Sequence, residues 1–192
     1  MQQRLLILVA VLLLPAVTHG DTLLSQQPDT SQFAFADHNF FDSPADTVSS
    51  FLVDDVTLAS SNGQGFTIDK VTTFFRASAG DLSGVTTALL TIIQDDGVLD
   101  TEIPGTFAVP ITVSALADQN QGPNFVVTAS GLNLSLADGT YWVGLTPSMD
   151  SSVAETLHWT TSGQTNGRQA QWINPAGGFG IGTTWTLSLI HI

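Results

Sequence analysis

The sequence contains no cysteine and, after residue 20, almost no positive charge. Without disulfides, a folded domain depends on its hydrophobic core for stability. All seventeen acidic residues follow Gly20, against only Lys70, Arg76 and Arg168 as bases, so this region has a formal charge of −14. Such a surface repels nucleic-acid phosphates and anionic lipid head groups. We therefore expect no nucleic-acid partner and no direct membrane binding by the region after Gly20.

Long apolar runs are also missing, with one exception near the start, Leu5–Leu14. That run is too short to cross a hydrocarbon core of about 30 Å, which needs about 20 residues. Arg4 precedes it, and Pro15 and the small residues Ala16 and Gly20 follow it. This order predicts a cleavable secretory signal over residues 1–20, cut after Gly20, and hence a secreted or cell-surface protein.

No sustained helical spacing of apolar residues occurs after residue 20. Short runs of apolar and β-branched residues recur instead, each closed by Gly, Asn, Asp or Pro. This pattern predicts an all-β fold, a two-sheet antiparallel sandwich of about ten strands, jelly-roll-like, in one domain over residues 21–186. Pro110 lies inside one run and lacks an N–H, which predicts an edge strand or a break there.

The last six residues, Leu187–Ile192, match the translation of an adapter used to prepare sequencing libraries. We expect this tail to be non-native and exclude it from the fold. The expectation also implies that a C-terminal sorting anchor would have been lost with the native end of the reading frame.

Several segments, taken in order, resemble bacterial exported β-sandwich proteins of the kind found ahead of PEP-CTERM or other surface-anchor signals. The resemblance implies a jelly-roll-like sandwich, export and a C-terminal surface anchor, but no single activity. The segments that carry it are Val53–Leu58 (VDDVTL), Gly65–Phe75, Ile92–Gly105, Leu132–Leu145 (LNLSLADGTYWVGL) and His158–Trp159.

Catalytic motifs are scarce. The chain has no cysteine nucleophile, no G-x-S-x-G elbow and no H-E-x-x-H motif. Only His38 and His158 lie outside the predicted signal and tail. Paired carboxylates would suit glycoside hydrolysis, but no acid is marked as desolvated by the sequence. We therefore expect no enzymatic activity.

Two adjacent acids, Asp54 and Asp55, fall inside a predicted strand. Neighbouring residues of a strand face opposite sides, so one carboxylate must point toward the interior or the rim of the sheet. A buried carboxylate needs partners. The pair therefore predicts either acceptors for loop N–H groups or ligands for a calcium ion.

The loop that follows the next buried run is a second candidate metal site. Asp95, Asp96, Asp100 and Glu102 lie close together around a glycine. Closely spaced carboxylates of this kind suit calcium, although the register is not that of an EF-hand loop. A solvated acidic turn is the alternative interpretation.

Two tryptophans are candidates for stacking on sugar rings. Trp172 has polar neighbours and is the tryptophan expected to be most exposed, while Trp159 lies in an apolar strand, where a core position is the alternative. Together these features predict a secreted or cell-surface, non-enzymatic protein of structural or adhesion type, with extracellular polysaccharide or surface matrix as its partner. The alternative is a calcium-containing carbohydrate-binding module.

Overall fold

The computed structural model describes residues 28–42, 44–96, 105–116, 123–154, 156–162, 167–178 and 183–187. Strands dominate these residues, with two single 3₁₀ turns at Ala45–Val48 and Leu82–Gly84 and no α-helix among them. The strands are β1 (Pro28–Ala36), β2 (Asn39–Phe40), β3 (Phe51–Leu58), β4 (Phe66–Ala77), β5 (Thr87–Gln94), β6 (Thr106–Ala115), β7 (Asn124–Leu136), β8 (Gly139–Met149), β9 (Leu157–Ser162), β10 (Gln171–Ile173) and β11 (Thr186–Leu187). The predicted all-β class is confirmed.

The strands form one continuous sheet, curled as a half-barrel. Their order across it is β1-β9-β4-β7-β6-β5-β8-β3-β10-β11, and every pair along this path is antiparallel. The short strand β2 lies off the path and pairs with β8 in parallel. Ala137 and Asp138 join β7 to β8 before Gly139, where the sequence predicts a tight turn, but the two strands are not neighbours in the sheet order.

Strand β6 changes its pairing partner, and Pro110 marks the position. Residues 106–110 of β6 pair with β5, whereas residues 111–115 pair with β7. Proline has no N–H to give to a ladder, so a change of partner leaves no donor unsatisfied there. The predicted edge strand or break at Pro110 is wrong, because β6 runs through Pro110 without interruption and lies between β5 and β7; the proline instead marks a change of partner within one strand.

The core lies on the concave side of the curled sheet. Alternate residues of each strand point into it, as the period of two requires. Phe75, Leu90, Val127 and Leu145 are fully buried there, and burying one such side chain contributes about 1.5–3 kcal/mol. The same core takes residues from both ends of the sheet order, including Trp159 of β9 and Trp172 of β10.

Both ends of the chain reach beyond the described residues. The predicted signal, residues 1–20, and residues 188–192 of the predicted tail lie outside them. Leu187, the first residue of that tail, is described and pairs with Gln171 of β10. Among the residues that the structure describes, none forms a helix long and apolar enough to span a membrane.

Candidate functional site

Asp54 and Asp55 point to opposite faces of β3, as their adjacency predicts. Asp54 is paired with Val143, which packs against the core, and Asp55 is paired with Trp142. The Asp54 carboxylate accepts the N–H of Asp55 at 3.0 Å. Burial raises the pKa of Asp54 to about 7, the Asp55 N–H lowers it, and the negative charge of Asp55 raises it further. Asp54 therefore titrates near neutral pH on the core side of the strand.

The Asp55 carboxylate holds the loop that leads into β10. Its Oδ1 accepts the N–H of Arg168 at 2.7 Å, and its Oδ2 lies 3.9 Å from Arg168 Nε. The preceding residue, Gly167, has φ 70°, and a Cβ there would lie 2.3 Å from Asp55 Oδ1. A glycine is therefore required where the loop passes the carboxylate. Of the two interpretations of the acidic pair, a loop N–H acceptor describes Asp55.

Arg168 connects this carboxylate to the acidic loop. Its Nη2 bonds Asp95 Oδ2, and its guanidinium carbon lies 4.7 Å from the centre of the Trp142 ring. The Trp142 indole N–H in turn donates to Asp95 Oδ1 at 3.4 Å. We call these four residues, Asp55, Asp95, Trp142 and Arg168, the rim bridge. It joins the loop before β10 to β3, β8 and the end of β5.

The rim bridge places a protein cation between two of the acids that the sequence proposes as calcium ligands. The Arg168 side chain is 49% exposed, so solvent screens its ion pairs and each contributes little. Asp96 is exposed beside Asp95, whereas Asp100 and Glu102 lie outside the described residues. No group of three or more metal-ligating side chains occurs among the residues described. Calcium binding by this loop stays a prediction.

Sequence reasoning did not single out Arg168. The signal that could have found it is the charge count, because three bases among seventeen acids make each base a candidate partner for a carboxylate. The partners themselves are set by the register of β3, β5 and β8, which the sequence does not show.

The prediction that Trp172 is the most exposed tryptophan is wrong. This side chain is 3% exposed, and its indole N–H donates to the Ala36 carbonyl at 2.9 Å. The reason is its pairing with Leu52 of β3, which places both side chains on the core face. Trp159 is 5% exposed and meets the Phe75 ring edge-on, with centroids 6.2 Å apart. In this structure neither indole offers an open face for stacking on a sugar.

A buried polar centre lies where β3 separates from β8, and the sequence did not indicate it. Asp37, in the segment between β1 and β2, is fully buried. Its Oδ1 accepts the Thr146 hydroxyl of β8 at 2.7 Å and the Leu52 N–H of β3 at 3.2 Å. Burial raises the pKa of Asp37 well above its usual value, although the hydrogen bonds from Thr146 and Leu52 and the nearby Trp159 indole N–H lower it. Neither Asp37 Oδ2 nor that indole nitrogen has a hydrogen-bond partner among the residues that the structure describes.

His38 is buried beside this centre, whereas His158 is half-buried on β9. The His38 ring lies 4.2 Å from the Phe40 ring, and its Nδ1 accepts the Leu157 N–H at 3.5 Å. Burial lowers the pKa of His38 to about 4, so the imidazole is neutral at physiological pH. The sequence did contain a signal for Asp37 and His38, because these two polar residues lie in a phenylalanine-rich segment, between Phe35 and Phe40.

Three further aspartates each hold one serine by two bonds. In these Asp–Ser braces the carboxylate accepts both the backbone N–H and the hydroxyl of the serine. These bonds hold the pKa of each carboxyl below its usual value. Two braces join distant parts of the chain and one closes a local turn. The pairs are Asp42 with Ser151, Asp138 with Ser60, and Asp81 with Ser83.

The fold and these contacts define an all-β protein in which several acidic side chains support loops and strand ends. Comparisons with protein-family models, with curated proteins and with solved structures find no match for this chain.

Proposed function

We propose that this chain is an exported, non-enzymatic protein of structural or adhesion type, which acts at the cell surface or in the extracellular matrix. The proposal takes its fold to be a jelly-roll-like sandwich. The change of partner at Pro110 supports this, because it turns one strand from one half of the sheet into the other. The Trp172–Ala36 bond also supports it, because it joins strands from near the two ends of the sheet order.

The observation that carries the proposal is the use of acidic side chains as loop supports. Asp42, Asp138 and Asp55 each bind a backbone N–H at least 78 residues away in sequence. Such contacts fix loops in a chain that has no disulfide. Fixed loops on a rigid sheet suit a protein whose task is to present a surface, since ordering them on binding would cost conformational entropy.

Export is tested by expressing the full chain in a bacterial host and determining its N-terminus by mass spectrometry. We expect cleavage after Gly20 and recovery outside the cytoplasm. A version with Leu8→Arg and Leu12→Arg in the apolar run serves as the matched control and should stay uncleaved. An intact N-terminus on cytoplasmic wild-type protein would contradict the proposal.

Adhesion is tested by passing the purified exported protein over immobilised extracellular polysaccharide and matrix from the same host. We expect retention that survives moderate salt, because an acidic protein cannot rely on attraction to acidic polysaccharides. Heat-unfolded protein is the control for non-specific adsorption. Equal retention of folded and unfolded protein would argue against a specific adhesive surface.

A further inference from the structure

The buried polar centre brings a carboxyl group and a hydroxyl group together away from water. Asp37 and Thr146 are both 0% exposed, and their oxygens Oδ1 and Oγ1 are 2.7 Å apart. The two residues are 109 positions apart in sequence. Within the described part of the chain no salt bridge reaches Asp37, and the two ion pairs of Arg168 go to Asp55 and Asp95. A hydroxyl is therefore held against a carboxyl that has no counter-ion.

We propose that Asp37 and Thr146 become joined by an intramolecular ester, formed between the Asp37 carboxyl carbon and Thr146 Oγ1. The proposal goes beyond the proposed function and does not depend on it, because the cross-link would form in the folded chain whatever surface the protein presents.

The step is a condensation that balances without any co-reactant. The carboxyl group carries its proton on Oδ2. Thr146 Oγ1 attacks Cγ, and the hydroxyl proton of Thr146 moves to Oδ1, to which it is already hydrogen-bonded. The resulting tetrahedral carbon carries two hydroxyl groups and the new Cγ–Oγ1 bond. The Cγ–Oδ2 bond then breaks, Oδ2 leaves as water with the proton from Oδ1, and the carbonyl at Oδ1 is restored. Nothing is oxidised or reduced.

The neighbouring backbone assists this step. The Leu52 N–H donates to Asp37 Oδ1 at 3.2 Å, the carbonyl oxygen that gains electron density as Oγ1 attacks and before the proton has fully transferred. A fixed N–H at such an oxygen stabilises the transition state in the manner of an oxyanion hole. Burial raises the pKa of Asp37 and so favours the neutral acid, which is the form from which water can leave.

The fold also favours the product. Holding the hydroxyl and the carboxyl in contact removes part of the entropic cost of bringing two reacting groups together. Full burial of both residues limits the water that would hydrolyse the ester. The bond would constrain the unfolded chain as a disulfide does, in a protein that has no cysteine.

The test is the intact mass of the purified full chain, after several days at pH 6 to allow slow formation. We expect a mass lower than that of the processed sequence by one water molecule. Tryptic and chymotryptic maps should contain one branched peptide that joins the segments bearing Asp37 and Thr146. Mild alkaline hydrolysis or hydroxylamine should separate the two segments.

Two variants distinguish the ester from other losses of water, of which a succinimide at Asp37 is the main one. Thr146→Val keeps the shape but removes the nucleophile, and it should retain the full mass, whereas a succinimide would form in it as before. Thr146→Ser keeps the hydroxyl and should lose water. Folded wild-type protein with the full mass and no branched peptide would overturn the proposal, and so would water loss in Thr146→Val.

Discussion

The buried polar centre and the rim bridge both use an aspartate to hold a distant backbone N–H, and they differ in what surrounds the carboxyl. Asp55 is itself buried, but its carboxyl faces the half-exposed guanidinium of Arg168. Asp37 has neutral hydrogen-bond donors and no solvent contact, so burial acts against its charge. Removing a contact should therefore cost much more at the centre than at the rim, and salt should affect only the rim.

The largest effect is expected for Asp37→Ala. The substitution leaves the Leu52 N–H and the Thr146 hydroxyl buried without their acceptor, at a cost of about 3 kcal/mol in the free energy of unfolding. Urea denaturation followed by tryptophan fluorescence measures the loss. Asp37→Asn keeps an acceptor oxygen and should lose less than half as much. Equal losses in the two variants would mean that these hydrogen bonds do not stabilise the centre.

A second effect concerns Asp54, on the core side of the same strand as Asp55. Its pKa is raised to about 7 in the folded protein, so the folded state favours the protonated form. The contribution of Asp54 to the free energy of unfolding is then fully present below about pH 4, and it is lost as the pH rises through about 7. Asp54→Asn should therefore be more stable than wild type at pH 8, by about 2 kcal/mol.

At pH 4 the advantage of Asp54→Asn should disappear, since Asp54 is then neutral in wild type as well. Thermal denaturation of both proteins across this pH range provides the check. His38 shifts the other way, because its lowered pKa of about 4 costs stability as the pH falls from 6.5 to 4. Its contribution cancels when the two proteins are compared at one pH. A variant that gains equally at every pH would show that Asp54 does not titrate as inferred.

A third effect tests the close approach at the rim bridge. Gly167 and Gly63 have φ of 70° and 69°, so substitution by alanine introduces the same backbone strain at each position. A Cβ at Gly63 meets open space, whereas one at Gly167 meets the Asp55 carboxylate. Gly167→Ala should therefore lower the unfolding free energy by about 1 kcal/mol more than Gly63→Ala. Equal costs would show that the loop can move away from Asp55 freely.

A smaller effect is expected for Arg168→Met, which keeps an apolar stem over Trp142 but removes the charge. The side chain is half-exposed, so the loss should be below about 1 kcal/mol. High salt should shrink the difference from wild type, because the ion pairs with Asp55 and Asp95 are screened. The corresponding difference for Asp37→Ala should not change with salt. A salt-independent effect of Arg168→Met would assign the stabilisation to packing instead.

The smallest effect is expected from calcium. Arg168 already neutralises Asp95, so adding or chelating millimolar calcium should shift the wild-type melting temperature less than Arg168→Met does. Differential scanning calorimetry with calcium and with a chelator makes the comparison. A larger calcium shift would show that the protein binds calcium, either at the loop from Asp95 to Glu102 or at Asp54 and Asp55.

The strand pattern was predictable because alternation and turn residues are local properties. The runs around Phe51–Leu58 and Phe66–Arg76 correspond to β3 and β4. The exposure of Trp172 was not predictable from its polar neighbours. Its burial follows from a pairing with Leu52, 120 residues earlier in the chain, and local sequence does not encode such a register.

In the candidate sites, too, local features could be predicted from the sequence and long-range contacts could not. The opposite directions of Asp54 and Asp55 follow from the geometry of any strand. The partner of Asp55 does not, because Arg168 comes from a loop more than a hundred residues away. Asp37 was overlooked because a polar residue between two aromatic pairs has the composition of a loop, whereas in the structure it fills the gap between β3 and β8.

The change of partner at Pro110 has a consequence for how the chain tolerates insertions. A one-residue shift in a paired strand normally turns every later side chain to the wrong face. In β6 the two halves are bonded to different strands, so an error in residues 106–109 can be absorbed at the proline before it reaches Ile111 and Val113. A change of register between residues 106–109 and β5 therefore need not alter the pairing of residues 111–115 with β7.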